Sequence, residues 1–267
     1  ACVDHARGTG FNHVEVTLMS PCIDIFKLIA EEMRGTSVGA YRLVESDAPI
    51  DIFCDRLTND KSGVPRAILL ASPNNPDGLV LSRMQIQTLV DTCKSNKWYL
   101  ILDHAFLFAG VQDSRPAALW EAWDDDLMGI ALWDTGKTFD LGGDKMGFAI
   151  CSPQMRDSLY KSFAVLQFGM PTRAMSMFAA LLEDAVSSDY LHRLQEICRT
   201  NLDSLRDSFK DGEVAVVSPE GGAFAMLDVS GLQVEDSALQ EFLLTKGIGV
   251  ATGRPFYHIS GSSNWLR

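Results

Sequence analysis

With 267 residues, 46% hydrophobic and 22% charged, the chain can bury a large core and has neither the composition of a disordered segment nor that of a fibre. Its 23 Lys and Arg against 35 Asp and Glu leave a net charge of −12, which repels phosphate backbones and anionic lipid surfaces, so no nucleic acid and no membrane are expected as partners. No apolar run approaches the roughly 20 residues that cross a bilayer, and no charged segment leads into an apolar signal region, so the expected location is cytoplasmic.

Short β-branched or apolar runs alternate with segments of helical period, the pattern of an α/β domain built on a mostly parallel sheet with helices on both faces. In chain order the pattern predicts a strand at 13–18, a helix at 23–33, strands at 37–43 and 66–71, and a helix at 82–97. Strands follow at 98–102, 128–133 and 147–151, then helices at 153–165 and from 172 to 210. The helix at 82–97 opens on Ser82, a good N-cap, and carries Met84, Ile86, Leu89 and Val90 in an apolar band, so it reads as a crossover between strands. Beyond residue 210, strands at 213–217 and 223–229, a Gly-rich turn at 221–222, a helix at 236–245 and a strand at 248–251 suggest a small α+β unit. The expected division is therefore a large domain over 1–205 and part of a small one over 206–267.

Cys2, Cys22, Cys54, Cys93, Cys151 and Cys198 are scattered singly and read as buried thiols, and the five histidines show no spacing suited to a metal on one helix; no metal is assigned. Ligands of open parallel sheets bind beyond the carboxyl ends of the strands, so the residues just after each strand matter most. After 66–71 come Ser72, Pro73, Asn74, Asn75, Pro76, Asp77 and Gly78, which form either a plain turn or a rigid holder for an Asn side chain. The run WYLIL delivers Asp103, a carboxylate that needs a cationic partner or hydrogen bonds if it does not simply cap a helix. The next residue, His104, is expected on the opposite face in a structural role.

The run MGIALW delivers Asp134, Thr135, Gly136 and Lys137, then Gly142, Gly143, Asp144, Lys145, Met146 and Gly147. A lysine at a buried strand end is disfavoured as a cation by desolvation, which makes its amine a nucleophile; the alternative is a surface lysine in a Gly-rich loop. At the far end Arg267 follows Asn264, Trp265 and Leu266, and its planar fork matches a carboxylate, although a solvated arginine is the ordinary reading.

In this order the segments resemble the signature of fold-type I pyridoxal-phosphate (PLP) enzymes, specifically the class I/II aminotransferase family. SPNNPDG resembles that family's Asn-Pro-x-Gly turn, LILDHAF its Asp-x-x-Tyr strand end, and DTGKTFDLGGDKMG its Ser-x-x-Lys segment ending in Arg-x-Gly. GGAFAML at 221–227 resembles the Gly-Gly-x-Phe strand of the small domain, and NWLR the arginine of the substrate-carboxylate site, so the likeness covers nearly the whole chain. It implies a homodimeric aminotransferase with an amino-acid substrate and pyridoxal 5'-phosphate as cofactor. Lys137 would hold the cofactor as a Schiff base and move the proton of the substrate's α-carbon; Asp103 would pair with the ring nitrogen. Asn75 would bond the ring's 3-oxygen and, with Arg267, receive the substrate, while Lys145 falls where the family has a phosphate-binding arginine.

Three positions of the cofactor-binding set depart from the family pattern: Phe106 stands for its tyrosine, Ile23 for an aromatic residue stacked on the ring, and Asp134 for a phosphate-binding serine. These changes bring the chain toward the specialised branch that includes capreomycidine synthase and PLP-dependent arginine oxidases, which implies an oxidase, cyclase or lyase as the alternative activity; a noncatalytic PLP-binding sensor is a reading of another class. The family's phosphate-binding turn and N-terminal arm would lie before Ala1, and the rest of the small domain after Arg267. Gly8, Thr9 and Gly10 lead into a strand rather than a helix and are not assigned to phosphate. Arg173, at the expected start of a long helix, either reaches across a dimer interface or faces solvent.

Overall fold

The computed structural model describes residues 1–32, 38–45, 50–59, 63–111, 116–144, 146–167, 169–257 and 263–267, with residues 32 and 38–45 described by their backbone. The chain begins with α1 (Cys2–Gly8), β1 (Val14–Ser20), α2 (Asp24–Glu32), β2 (Val38–Glu45), α3 (Ile50–Thr58), β3 (Arg66–Ala71), α4 (Arg83–Asn96), β4 (Tyr99–Asp103), β5 (Met128–Asp134) and β6 (Gly147–Cys151). It continues through α5 (Arg156–Leu166), α6 (Thr172–Ser187), α7 (Tyr190–Phe209), β7 (Ala215–Val217), β8 (Met226–Asp228), α8 (Asp236–Thr245), α9 (Arg254–Tyr257) and β9 (Trp265–Leu266). The first six strands form one sheet in the order β2-β1-β3-β4-β5-β6, parallel except for the antiparallel pairing of β6 with β5, and the last three form a second, antiparallel sheet. The expected α/β class is what the structure shows.

Alternation along the strands sorts side chains to two covered faces. Ile68, Leu70, Leu100, Leu102 and Ala131 face α3 and α4, whereas Ala67, Tyr99, Ile101, Ile130 and Leu132 face Ala6 of α1 and Met155 and Leu159 at α5. Leu18 and Ala71 pack with Cys22 and with Phe26 of α2. The helix α4 begins as its sequence dictates: the Ser82 hydroxyl accepts from Gln85 N and the Gln85 side chain returns to Ser82 N, a complete capping box.

Several expectations are corrected. The helix α3 was not expected, although Ile50, Phe53, Cys54 and Leu57 are buried at the i, i+3, i+4, i+7 spacing of one helical face. The helix α1 was not expected either. The single helix expected from 172 to 210 is two, because Ser188 turns extended (φ −108°, ψ 178°) and Asp189 opens α7, with Arg193 N bonded to Asp189 O. No strand forms at 248–251; Ala251 instead pairs backbone to backbone with Arg267, and Thr252 bridges Leu266 of β9. Cys22, Cys54 and Cys93 are buried as expected, but Cys2, Cys151 and Cys198 are partly exposed. Among the described residues no helix is long and apolar enough to cross a membrane, and no group of three His, Cys, Asp or Glu side chains could hold a metal.

At the amino edge of the large sheet Arg66 is 1% exposed, bonded to Glu15 Oε1 at 2.7 Å and to Leu57 O at 2.7 Å, with its guanidinium 4.6 Å from the Trp98 ring. Removing the cation strands a nearly buried carboxylate, so Arg66→Ala is expected to lower the unfolding free energy by about 3–5 kcal/mol. Glu15→Gln, which keeps the shape and an acceptor, should lose less; urea unfolding of both variants checks the order.

Candidate functional site

The period-2 rule that packs the partly buried Ile101 and Leu132 on one face also puts Asp103 and Asp134 on that face, at the carboxyl ends of adjacent parallel strands. Asp103 Oδ1 accepts from Ala105 N at 2.9 Å, which turns the chain out of the sheet beneath Phe106. His104 points the other way and is fully buried: its Nε2 accepts from Leu119 N at 3.0 Å, so the neutral ring carries its proton on Nδ1 and donates to Ser72 O at 2.9 Å. Its expected structural role is therefore what the structure shows.

The turn after β3 is held from several sides. Asn74 Nδ2 donates to Pro21 O at 2.9 Å and to Asp77 Oδ1 at 2.8 Å, Asn74 N bonds Leu79 O, and the Ser72 hydroxyl accepts from Leu81 N. Burial raises the Asp77 pKa above the usual carboxylate value against the opposing hydrogen bonds of Leu79 and Asn74. Held in this frame, Asn75 is 6% exposed and its Oδ1 accepts from Arg267 Nη1 at 2.8 Å.

After β5, Asp134 Oδ1 accepts from Gly136 N at 2.7 Å. Thr135 is buried and tied twice to Met146, through both its backbone N–H and its hydroxyl. These bonds fold 135–141 into successive turns and present Lys137, whose Nζ lies 5.7 Å from the Phe106 ring centroid. Of the two readings of Lys137, a desolvated strand-end amine and a surface lysine, its exposure agrees with the second, because the turn carries it beyond the buried end of the strand.

Arg267 is half-buried, and among the described residues it makes no ion pair within 4.0 Å. Desolvation lowers its pKa from the usual value, opposed by the charge of Asp24. Its guanidinium carbon stands 4.7 Å from the Phe256 ring centroid. Burial, reinforced by Asp24 and Asp77, pushes the nearby Cys22 thiol up to about 12, so Cys22 is no nucleophile at neutral pH.

Ile23, Asn75, Asp103, Phe106, Asp134, Lys137 and Arg267 all line one cleft of about 780 Å³, closed on its other sides by Leu205, Phe224, Leu227 and Val250. Lys145 lies outside the described residues. Arg173 is exposed in the first turn of α6 and does not line the cleft. A second hollow, of about 890 Å³, is bordered by Arg83, Arg199 and Arg206 but holds none of the expected residues. Sequence reasoning missed Phe224, edge-to-face with Phe106 at 4.8 Å, and Phe256; the sole signal for Phe224 was its place in the Gly-Gly-Ala-Phe run.

A sequence model described as aminotransferase class I and II matches residues 27–267. Kynurenine–oxoglutarate transaminase of Dictyostelium discoideum is 26% identical over 253 residues, covering 88% of this chain and 57% of that protein. Cystalysin from Treponema denticola, whose crystal structure contains a pyridoxal 5'-phosphate cofactor, superposes with a TM-score of 0.81 at 20% identity, over 100% of this chain and 68% of that one. An Escherichia coli protein with a methionine aminotransferase function gives a TM-score of 0.82 at 18% identity, over 96% and 67% of the two chains. The chain spans about half the length of the curated relatives it matches.

The turn that carries Asn75 ends on Gly78, where φ is +72° and an added Cβ would meet Pro219 and lie 2.6 Å from Gly221 O. Gly78→Ala is therefore expected to destabilise by more than about 1 kcal/mol, or roughly 2–4 °C in Tm, with the turn pushed off residues 219–221. Thermal unfolding checks this; an unchanged Tm would show that the turn does not dock there.

Proposed function

The chain belongs to the aminotransferase class I and II family, and we propose that its cleft holds pyridoxal 5'-phosphate on Lys137 and serves an amino-acid aminotransferase. The observation that carries this is the gathering of an amine, a carboxylate, an amide and a guanidinium around one cleft, although Asn75 and Arg267 are 192 residues apart.

The donor set fits the cofactor. Arginine has only donors, so its bond to Asn75 fixes the amide oxygen toward Arg267 and leaves the Asn75 NH2 as a donor, which has no partner among the described residues and suits the anionic 3-oxygen of the ring. Asp103 lines the cleft and suits a protonated ring nitrogen; Lys137 supplies the primary amine that an aldehyde requires. The PLP found in the cystalysin structure, on the same fold, supports the assignment. Asp134 gives no phosphate donor, since a carboxylate only accepts, as it does from Gly136 N; Lys145 would have to meet the phosphate charge.

When bound, PLP supplies an electron sink for the pair left on the substrate's α-carbon as its proton departs. Asp103 holds the proton on the ring nitrogen and so keeps that sink effective. Arg267 takes the α-carboxylate in its fork, with Asn75 fixing the in-plane angle. Lys137, exposed to the cleft and held by a folded turn, moves the proton from the α-carbon as general base. Phe106, Ile23, Leu205 and Phe224 give the same cleft its apolar lining. The substrate in this reading is an amino acid and the assembly a homodimer, the latter supported by the exposed Tyr160, Phe163, Val165 and Leu166 on α5 and Met175 and Met177 on α6.

Borohydride reduction of the whole, PLP-loaded protein followed by peptide mapping should place the label on Lys137. A label on another lysine would remove the central assignment. The loaded protein, given single amino acids and no acceptor, should release up to one equivalent of keto acid per site without ammonia or oxygen consumption. Release of ammonia, uptake of oxygen or a cyclised product would instead assign oxidase, lyase or cyclase chemistry. Asp103→Asn should keep its cofactor content while turnover falls roughly 100-fold or more; a folded variant with nearly full turnover would show that Asp103 does not face the ring nitrogen.

A further inference from the structure

We propose that Phe256 is a positioning residue whose ring sets the plane of the Arg267 guanidinium and so the affinity of the cleft for a carboxylate; this rests on reading Arg267 as the carboxylate grip. An arginine side chain is long and rotamer-rich, and a bidentate contact requires its fork to be held in both tilt and rotation. The hydrogen bond from Nη1 to Asn75 Oδ1, 2.8 Å, lies in the guanidinium plane and fixes one of these. The guanidinium carbon stands over the Phe256 ring, 4.7 Å from its centroid, and this contact restricts the other. A cation over an aromatic face is also stabilised by the ring quadrupole, more strongly as water is removed, and Phe256 is 5% exposed.

The ring is itself well placed to impose an orientation. Phe256 N donates to Gly253 O at 2.9 Å, and Phe256 O accepts from Cys22 N at 3.1 Å, immediately before Ile23, which lines the cleft. The residue before α9 lies close against β9, which leads into Arg267: Gly253 N bonds Trp265 O at 2.7 Å, and an added Cβ at Gly253 would stand 2.6 Å from Trp265 Cβ and 2.7 Å from Ser263 Oγ. Only glycine permits that approach, so the spacing between Phe256 and Arg267 is set by backbone packing rather than by either side chain alone. The contact joins three parts of the chain, at residues 22, 256 and 267, at one corner of the cleft.

The test compares the whole, PLP-loaded wild-type protein with Phe256→Leu, which keeps apolar volume but has no ring, and Phe256→Tyr, which keeps the ring. Each is titrated, with the cofactor absorbance as readout, with the tightest-binding of the twenty standard L-amino acids and with the amine that amino acid yields on decarboxylation. Phe256→Leu should raise the Kd of the amino acid roughly threefold to tenfold and that of the amine by less than about twofold, with PLP content unchanged. Phe256→Tyr should stay near wild type for both. A loss of general packing would weaken both ligands alike, so equal weakening, or no change in the amino-acid Kd, overturns the proposal. Should Phe256→Leu fail to fold, Phe256→Met is judged by the same comparison. A loaded wild-type protein that binds none of the twenty overturns the carboxylate reading of Arg267 and this inference with it. A wild-type protein that takes up no PLP overturns the functional reading itself, whereas a loaded, amino-acid-binding protein indifferent to Phe256→Leu overturns this inference alone.

Discussion

The hydrogen bond between Arg267 and Asn75 is the contact on which the cleft depends, because it joins the small antiparallel sheet to a turn of the large one across 192 residues of sequence. Neither partner is free to choose its place. Asn75 is fixed by a turn whose neighbours Ser72, Asn74 and Asp77 are all bonded to surrounding backbone. Arg267 is fixed by its backbone pairing with Ala251 and by the Phe256 ring. A bond between two preorganised groups loses little conformational entropy as it forms, and it hands that order on to any ligand that meets both side chains.

The electrostatics of the cleft follow from the same arrangement. Parallel strands send their carboxyl ends to one edge, and the alternation that packs Ile101 and Leu132 on one face delivers two carboxylates to it, Asp103 level with Leu132 and Asp134 two residues beyond. Two like charges at adjacent strand ends are unfavourable unless cations or donors answer them. Part of that answer is local, through Ala105 N and Gly136 N, and the basic side chains of Lys137 and Arg267 line the same cleft. On the proposed reading the ring nitrogen of the cofactor completes the set at Asp103, while the substrate carboxylate answers Arg267, which has no ion pair among the described residues.

Much of this was legible in the sequence because strand ends are legible. The run RAILLA is a strand over the expected 66–71, GFAIC over 147–151, and the polar residues that follow buried strands could reach only the ligand edge of a parallel sheet. What was not legible depends on tertiary contacts. The helix α3 is nine residues long, short enough for its four apolar positions to be overlooked, and the break at Ser188 and Asp189 sits within a sequence of continuous helical period. The exposure of Lys137 could not be read from the buried strand before it, since the Thr135–Met146 bonds that project it outward join residues 11 positions apart. Phe256 gave no signal at all: an aromatic residue in a four-residue helix acquires meaning only when Arg267 is brought over its ring.

Phe106, where the family pattern has tyrosine, takes part in the contact between the two sheets. Phe106 packs edge-to-face with Phe224, and that ring can occupy its place because Gly222, at φ +83°, has no Cβ; one there would lie 2.7 Å from the Phe224 ring. The segment before Phe224 is also tied back to the part of the chain that builds the large sheet, Gly221 N to Gly78 O and Val111 N to Gly222 O. Aromatic contact and backbone bonds thus close this side of the cleft without any polar side chain. The side-chain donors left among the described lining residues are Asn75, Lys137 and Arg267. On the proposed reading Lys137 holds the cofactor and Arg267 the substrate, so hydrogen bonding to the ring's 3-oxygen falls to Asn75, whose orientation is set by Arg267. Substrate grip and cofactor electronics are then coupled through one amide, in a family where the resemblance implies a phenol sharing that load.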